Sequence, residues 1–331
     1  MKKPLVSFII PIYNVAPYVE KCITSILDQS FGDFEIIAVN DGSTDNCGAI
    51  LEALRTKDPR VRVIHKKNGG LCSARNAGIV AAEGIWTYFL DGDDSLLPDS
   101  VAKLIPYLDD RYDLVMSYVD ENLDTDGVRV TISNDLELAK ELDTCGWDIF
   151  SVVGKFYRTE IIQKNGLRFD EKMIGNEDQA FELVWLGTTS RLLVADTQTY
   201  DYLIREDSIS HSTRDPRLEM GAYAYYCQYL DKNPSILTHS SVFCGMFIGY
   251  AVYKILEGLS LDFKAADMRK IMDNPLVIQA LSNTSFVQKD KALVSNCIRK
   301  KAVMSLILLF NLKNMARKVM PLFNCVKKRI R

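Results

Sequence analysis

Strand and helix signals alternate through the first 120 residues, and no other feature of the sequence limits the fold as strongly. Residues 5–12 (LVSFIIPI), 34–39 (FEIIAV), 61–65 (VRVIH), 86–90 and 113–118 are short apolar runs rich in branched and aromatic residues, as buried strands are. Between them, residues 19–29, 46–57, 73–83 and 100–108 carry apolar side chains at helical spacing. Ser43, Thr44 or Asp45 is available to cap the second of these helices, and Asp99 or Ser100 the fourth. Such alternation predicts parallel β-α-β units with right-handed crossovers, whose ligands lie at the carboxyl ends of the strands. The chemistry is therefore expected in the loops that follow the strands.

Further along, the pattern predicts helices over 157–163 and 177–186 and short strands over 191–193 and 199–203. Beyond residue 215 strand signals fade, and 218–230, 242–256 and 292–323 read as helices. The expected organisation is an α/β catalytic domain over 1–215, followed by a helical region over 216–331. There is no GxGxxG after the first strand and no GxxxxGK[ST] anywhere, which disfavours a dinucleotide-binding dehydrogenase and a P-loop NTPase.

The loop after the fourth strand reads Asp91-Gly92-Asp93-Asp94. Three carboxylates in four residues repel one another unless something positive joins them, and Mg²⁺ or Mn²⁺ with phosphate oxygens would serve. The alternative is a solvated acidic turn capping the next helix. A calcium EF-loop does not fit, because Leu96 and Ala102 stand where Gly and Glu are required. After the second strand, Asp41-Gly42 is placed to accept hydrogen bonds from a base or ribose, with a plain turn as the alternative. Pro11, Tyr13 and Asn14 follow the first strand and could flank a base. Lys66 and Arg75 would offset phosphate charge, and Gly69 and Gly70 would let backbone approach closely. Taken singly, the lysines read equally as solvated loop residues.

The segments PIYN (11–14), VNDGSTD (39–45), KNGGLCSARNAG (67–78) and FLDGDD (89–94) resemble family 2 glycosyltransferases. Gly175-Asn176-Glu177-Asp178 resembles that family's acidic acceptor-side element, and residues 205–211 (REDSISH) its later Arg-rich loop. Cys72 departs from the pattern, standing where Ser or Pro is commoner. The resemblance implies a GT-A fold (a Rossmann-like mixed sheet with flanking helices) and an inverting, metal-dependent enzyme using a nucleotide-sugar donor, with UDP-sugar the expected one. It implies that Asp41 contacts the base, Asp91 the base or ribose, Asp93 the metal, and that Asp178 is the general base. Chemistry agrees: in-line displacement needs one base on the acceptor face and a cation on the leaving diphosphate. Glu177 is the rival base, since neighbours at a helix start point apart; its other reading is support of the helix dipole. Arg205 could pair with the diphosphate, and His211 could reach metal or diphosphate or be a surface residue. Trp185 and the tyrosines of 223–229 could stack on sugar faces, although most such aromatics are core.

The net charge of −3 hides a division. Residues 291–331 carry eleven Lys or Arg and no acid, leaving 29 basic and 43 acidic residues over 1–290. With apolar residues at three- and four-residue spacing, the tail reads as a basic amphipathic segment. An anionic membrane surface is the expected partner; packing on its own domain or on a second subunit of a homo-oligomer is the alternative. Nucleic acid is not expected, because the acidic body would repel phosphates. Eight scattered cysteines without a CxxC pair, no secretory signal and no apolar run near ~20 residues suggest a cytoplasmic protein, peripheral on the inner face of the membrane. The expected acceptor is a saccharide hydroxyl, lipid-linked in many family members, in cell-surface polysaccharide assembly. Two rival functions stay open: a nucleotidyltransferase making nucleotide sugars, and a non-catalytic sugar- or nucleotide-binding protein.

Overall fold

A computed structural model describes residues 2–118, 151–173, 175–189, 191–201, 203, 216–233, 252, 269, 272–275 and 278. The chain divides into two compact units, Met1–Thr213 and Arg214–Arg331. In the first, β1 (Val6–Ile12), β2 (Phe34–Asn40), β3 (Val61–His65) and β4 (Trp86–Phe89) are mutually parallel. Every residue of β1 and β2 is buried, which is why they read as unbroken apolar runs. Helices α1 (Ala16–Leu27), α2 (Cys47–Lys57) and α3 (Leu71–Ala81) form the crossovers. A β-carbon at Gly78 would come within 2.2 Å of the Ile9 Cγ2 methyl, so α3 lies with its backbone directly on β1.

The rest of the sheet departs from a purely parallel plan. β7 (Lys155–Arg158) runs antiparallel between β4 and β6 (Leu114–Tyr118), and β8 (Leu192–Gln198) pairs parallel with β6. Among the described residues the seven strands of this sheet are ordered β3-β2-β1-β4-β7-β6-β8. A separate two-stranded sheet joins β5 (Ser95–Leu96) to β9 (Tyr200–Asp201) antiparallel. Thus the mixed α/β sheet with flanking helices is present.

Two expected helices are corrected. Residues 157–163 do not form one helix: Tyr157 and Arg158 belong to β7, and α4 begins at Thr159 and ends at Lys164. Pairing with two strands outweighs the local pattern there. The helix expected over 100–108 is a series of turns ending in a 3₁₀ segment, Ile105–Tyr107, because Pro106 removes a backbone donor and clashes with the preceding turn. Helix α5 (Glu177–Leu186) has the expected bounds. The described part of the second unit centres on α6 (Pro216–Lys232), whose Ala222, Tyr226 and Leu230 are buried at four-residue spacing. No helix among the described residues is long and apolar enough to cross a membrane.

Candidate active site

Asp41 sits at the end of β2, 2% exposed. Its carboxylate accepts hydrogen bonds from the Gly69 amide (3.0 Å), the Gly70 amide (2.7 Å) and Lys66 Nζ (2.5 Å). The loop before α3 thus wraps one carboxylate, and Lys66, expected on phosphate, is paired with Asp41. Gly42 adopts φ +72°, and a β-carbon there would lie 2.8 Å from the Asn68 amide, so only glycine lets the two loops close.

The turn after β1 is tied to the turn after β2. Asn14, at φ +54°, accepts from the Thr44 amide (2.8 Å), and its own amide donates to the Ser43 hydroxyl (3.2 Å). Asp45 accepts from the Ala16 amide (2.9 Å) at the start of α1 and from the Cys47 amide (3.0 Å) at the start of α2. Against the upward push of its partial burial, these amides hold the Asp45 carboxyl below the usual range. Of the three residues expected to flank a base, Pro11 is buried within β1, whereas Tyr13 and Asn14 are exposed.

The acidic loop follows β4. A β-carbon at Gly92 would lie 2.9 Å from the Pro11 carbonyl, so this loop rests on the carboxyl end of β1. Asp94 is buried, accepts from the Tyr200 hydroxyl (2.5 Å) and the Leu203 amide (2.8 Å), and fastens the loop to β9. Burial drives its carboxyl up to about 7, and Asp91 and Asp93 add to the rise. Asp91 is also raised, first by burial and then by Asp178 and Asp93, with Arg75 pulling the other way. Asp93 is half-buried in the same loop.

Arg75 joins this loop to α5. Its side chain is 1% exposed; Nη2 donates to Asp91 (2.9 Å) and Nη1 to Asp178 (2.5 Å). Burial works against its charge, but Asp178 and Asp91 more than offset that, so the guanidinium is held above its ordinary pKa. Beneath it lies Phe169, 5.2 Å from ring centroid to guanidinium carbon, and Phe169 stacks on Phe181 at 4.4 Å. This apolar floor covers one side of the guanidinium. Gly175 (φ +78°) and Asn176 (φ +59°) turn the chain sharply into α5, leaving Glu177 and Asp178 in its first turn, where the helix dipole favours negative charge. Asp178 also accepts weakly from the Val152 amide (3.3 Å) and the Ser151 hydroxyl (3.5 Å). Glu177 is raised by burial and by Asp178 beside it, against Arg75.

The structure thus brings Arg75, Asp91 and Asp178 into one cluster, with Asp93 and Glu177 beside them. Arg205, His211 and the 291–331 tail lie outside the described residues. Trp185 is fully buried and has no face for a sugar, and Tyr226 is likewise core. Ser151, the Val152 amide and Phe169 escaped the sequence reading; an amide carries no residue signature, and nothing local marks Phe169. For a cation, the available ligands are hard carboxylate oxygens in a loop whose acids raise one another. Among the described residues no three His, Cys, Asp or Glu side chains gather as a cage. Mg²⁺ or Mn²⁺ held mainly by one or two carboxylates, water and phosphate needs no such cage, so the residues fit.

Residues 7–165 match the model of glycosyl transferase family 2. The chain is 35% identical over 230 residues to the uncharacterized glycosyltransferase EpsJ of Bacillus subtilis, covering 65% of this chain and 66% of that one. It is 41% identical over 125 residues to the chondroitin synthase of Pasteurella multocida, covering 38% of this chain and 13% of the synthase. The match therefore spans just under two thirds of the first relative and a small part of the second. Among solved structures, S. aureus TarS 1–349 in complex with UDP-GlcNAc superposes with a TM-score of 0.68 at 19% identity, over 94% of this chain and 92% of that one. The mannosyltransferase PcManGT of Pyrobaculum calidifontis, in complex with GDP-Man and Mn²⁺, gives 0.53 at 15% identity, over 96% and 89%. At these identities the likeness speaks for the fold, which is GT-A.

Proposed function

The chain belongs to glycosyl transferase family 2 through residues 7–165, and on that premise we propose that it transfers a sugar with inversion from a nucleotide-diphosphate sugar to a saccharide hydroxyl in polysaccharide assembly. The donor is a UDP-sugar carrying a hexosyl or N-acetylhexosaminyl group. TarS, with its bound UDP-GlcNAc, supports that choice. The observation that carries the reading is the Arg75 bridge, which holds an acid of the donor loop and the candidate base within the span of one guanidinium.

Asp41 and Asp91 bind the nucleoside, and Tyr13 and Asn14 rim it. Asp178 takes the proton of the acceptor hydroxyl as the hydroxyl oxygen attacks the anomeric carbon from the face opposite the diphosphate. Arg75 keeps Asp178 aimed. Asp93 and His211 would hold Mn²⁺ or Mg²⁺; when bound, the ion supplies positive charge to the departing diphosphate. Arg205 pairs with the same phosphates.

Purified protein incubated with a panel of nucleotide sugars and Mn²⁺ should release nucleoside diphosphate. Asp178→Asn should lower transfer roughly 10²–10⁴-fold and leave nucleotide binding nearly intact. Equal loss of both would remove Asp178 from the role and favour Glu177. Release of pyrophosphate instead would identify a nucleotidyltransferase, and binding without turnover a lectin-like protein. The PIYN turn after β1, in place of a Gly-rich loop, argues against the first. The converging donors on Asp178 argue against the second, since a binder has no need of a base.

The basic tail over 291–331 is the membrane-facing part of this reading, placing the enzyme at the cytoplasmic leaflet beside lipid-linked acceptors. Full-length protein should float with anionic vesicles and release them at high salt; failure to float returns the tail to packing on protein.

A further inference from the structure

The mechanism leaves one buried ionic pair unused. Lys155 of β7 and Glu182 of α5 are 1% and 0% exposed, and their charged ends lie 3.1 Å apart. Lys155 Nζ also donates to the Ser151 carbonyl, and the Tyr157 hydroxyl donates to the same Glu182 oxygen, Oε1. Glu182 Oε2 is buried with no hydrogen-bond partner. Burial pushes the Glu182 carboxyl up to about 7 despite the pull of Lys155, so ionising it inside the protein is unfavourable. An apolar pair of similar volume often supports a fold as well or better, because it loses no hydration. Stability therefore does not explain the pair.

Its position does. Glu182 follows Asp178 by four residues, so both carboxylates project from one face of α5 on consecutive turns. Segment 151–155 meets both of them. Its beginning reaches Asp178 through the Val152 amide and the Ser151 hydroxyl, and its end reaches Glu182 through Lys155. The Lys155 bond to the Ser151 carbonyl closes the segment on itself, so the two attachments move together.

We propose that Lys155 and Glu182 are positioning residues: they fix segment 151–155 against α5 and thereby orient Asp178 toward the acceptor hydroxyl. The inference rests on Asp178 as general base. A misplacement of about 1 Å at a reacting group can cost about 10²-fold in rate.

The test uses the full chain with Lys155→Met and Glu182→Met combined. The double variant should keep or raise Tm and hold the Kd for uridine diphosphate and the donor KM within about twofold, with kcat about thirtyfold lower. The loss should fall on kcat alone, a split from donor KM and nucleotide Kd that a purely structural pair would not produce. Glu182→Gln, nearly isosteric, is measured in parallel and serves alone if the double variant does not fold. It should lower kcat about fivefold with nucleotide Kd unchanged. A folded variant whose kcat stays within about threefold of the parent overturns the proposal, as does a fall in kcat matched by lost nucleotide binding. Asp178→Asn separates the two ideas. If it loses turnover while the pair variants do not, the base stands and the positioning role falls. If it retains turnover, the base reading falls and takes the positioning role with it.

Discussion

Asp41 and Asp178 are both carboxylates held by several donors, yet they are held in opposite ways. The donors on Asp41 come from one loop, residues 66–70, and two of them are backbone amides. The donors on Asp178 come from separate elements. Its main partner is a guanidinium 103 residues away that it shares with Asp91, and the Val152 amide, 26 residues away, adds a weaker contact. The first site is thus set by local backbone geometry. The second depends on individual side chains meeting across the fold, and it is the more easily broken.

Removing Arg75 should break that contrast most severely. Arg75→Met leaves Asp91 and Asp178 facing each other without a countercharge, and breaking a buried ionic network typically costs about 3–5 kcal/mol. Denaturant unfolding of the variant should show a loss of that size together with loss of transfer. A change under about 1 kcal/mol would mean that the bridge contributes little and that α5 is held by its apolar face alone. On the Asp41 side, Gly42→Ala forces a β-carbon into a left-handed residue and against the Asn68 amide. It should destabilise by about 1–2 kcal/mol and weaken nucleotide binding, while kcat at saturating donor changes little. Calorimetry with uridine diphosphate checks this, and a normal Kd would show that the Asp41 loop does not need its backbone fixed.

The smallest effect sharpens the comparison through pH. Glu182 has a folded value of about 7, above the ordinary glutamate value of about 4.3. Its contribution to stability is present in full below about pH 4 and is lost as pH rises toward 7. Glu182→Gln should therefore flatten the dependence of Tm on pH between about 4 and 7. An unchanged slope would mean that Glu182 titrates as an ordinary carboxylate.

What could be read from the sequence follows the same division. β1, β2 and β4 were legible because fully buried parallel strands are continuous apolar runs, and Asp41, Asp91 and Asp178 because they stand in recognisable motifs. β7 was not legible. Lys155-Phe156-Tyr157-Arg158 reads as half-exposed, since a lysine normally points to water, and its buried partner Glu182 lies 27 residues further on. The 100–108 segment misled because its apolar spacing is helical while Pro106 forbids the helix. The grip on Asp178 was hidden for a similar reason: the Val152 amide could belong to any residue type.

Asp45 and Asn14 have a consequence for redesign. Between them, four hydrogen bonds staple the turn after β1 to the turn after β2. Tyr13 rides on that stapled frame with 49% of its surface exposed. A library varied at position 13 would change the chemistry presented at the rim while the backbone carrying it stays in place. Selection from such a library would report what the chain recognises rather than whether it folds.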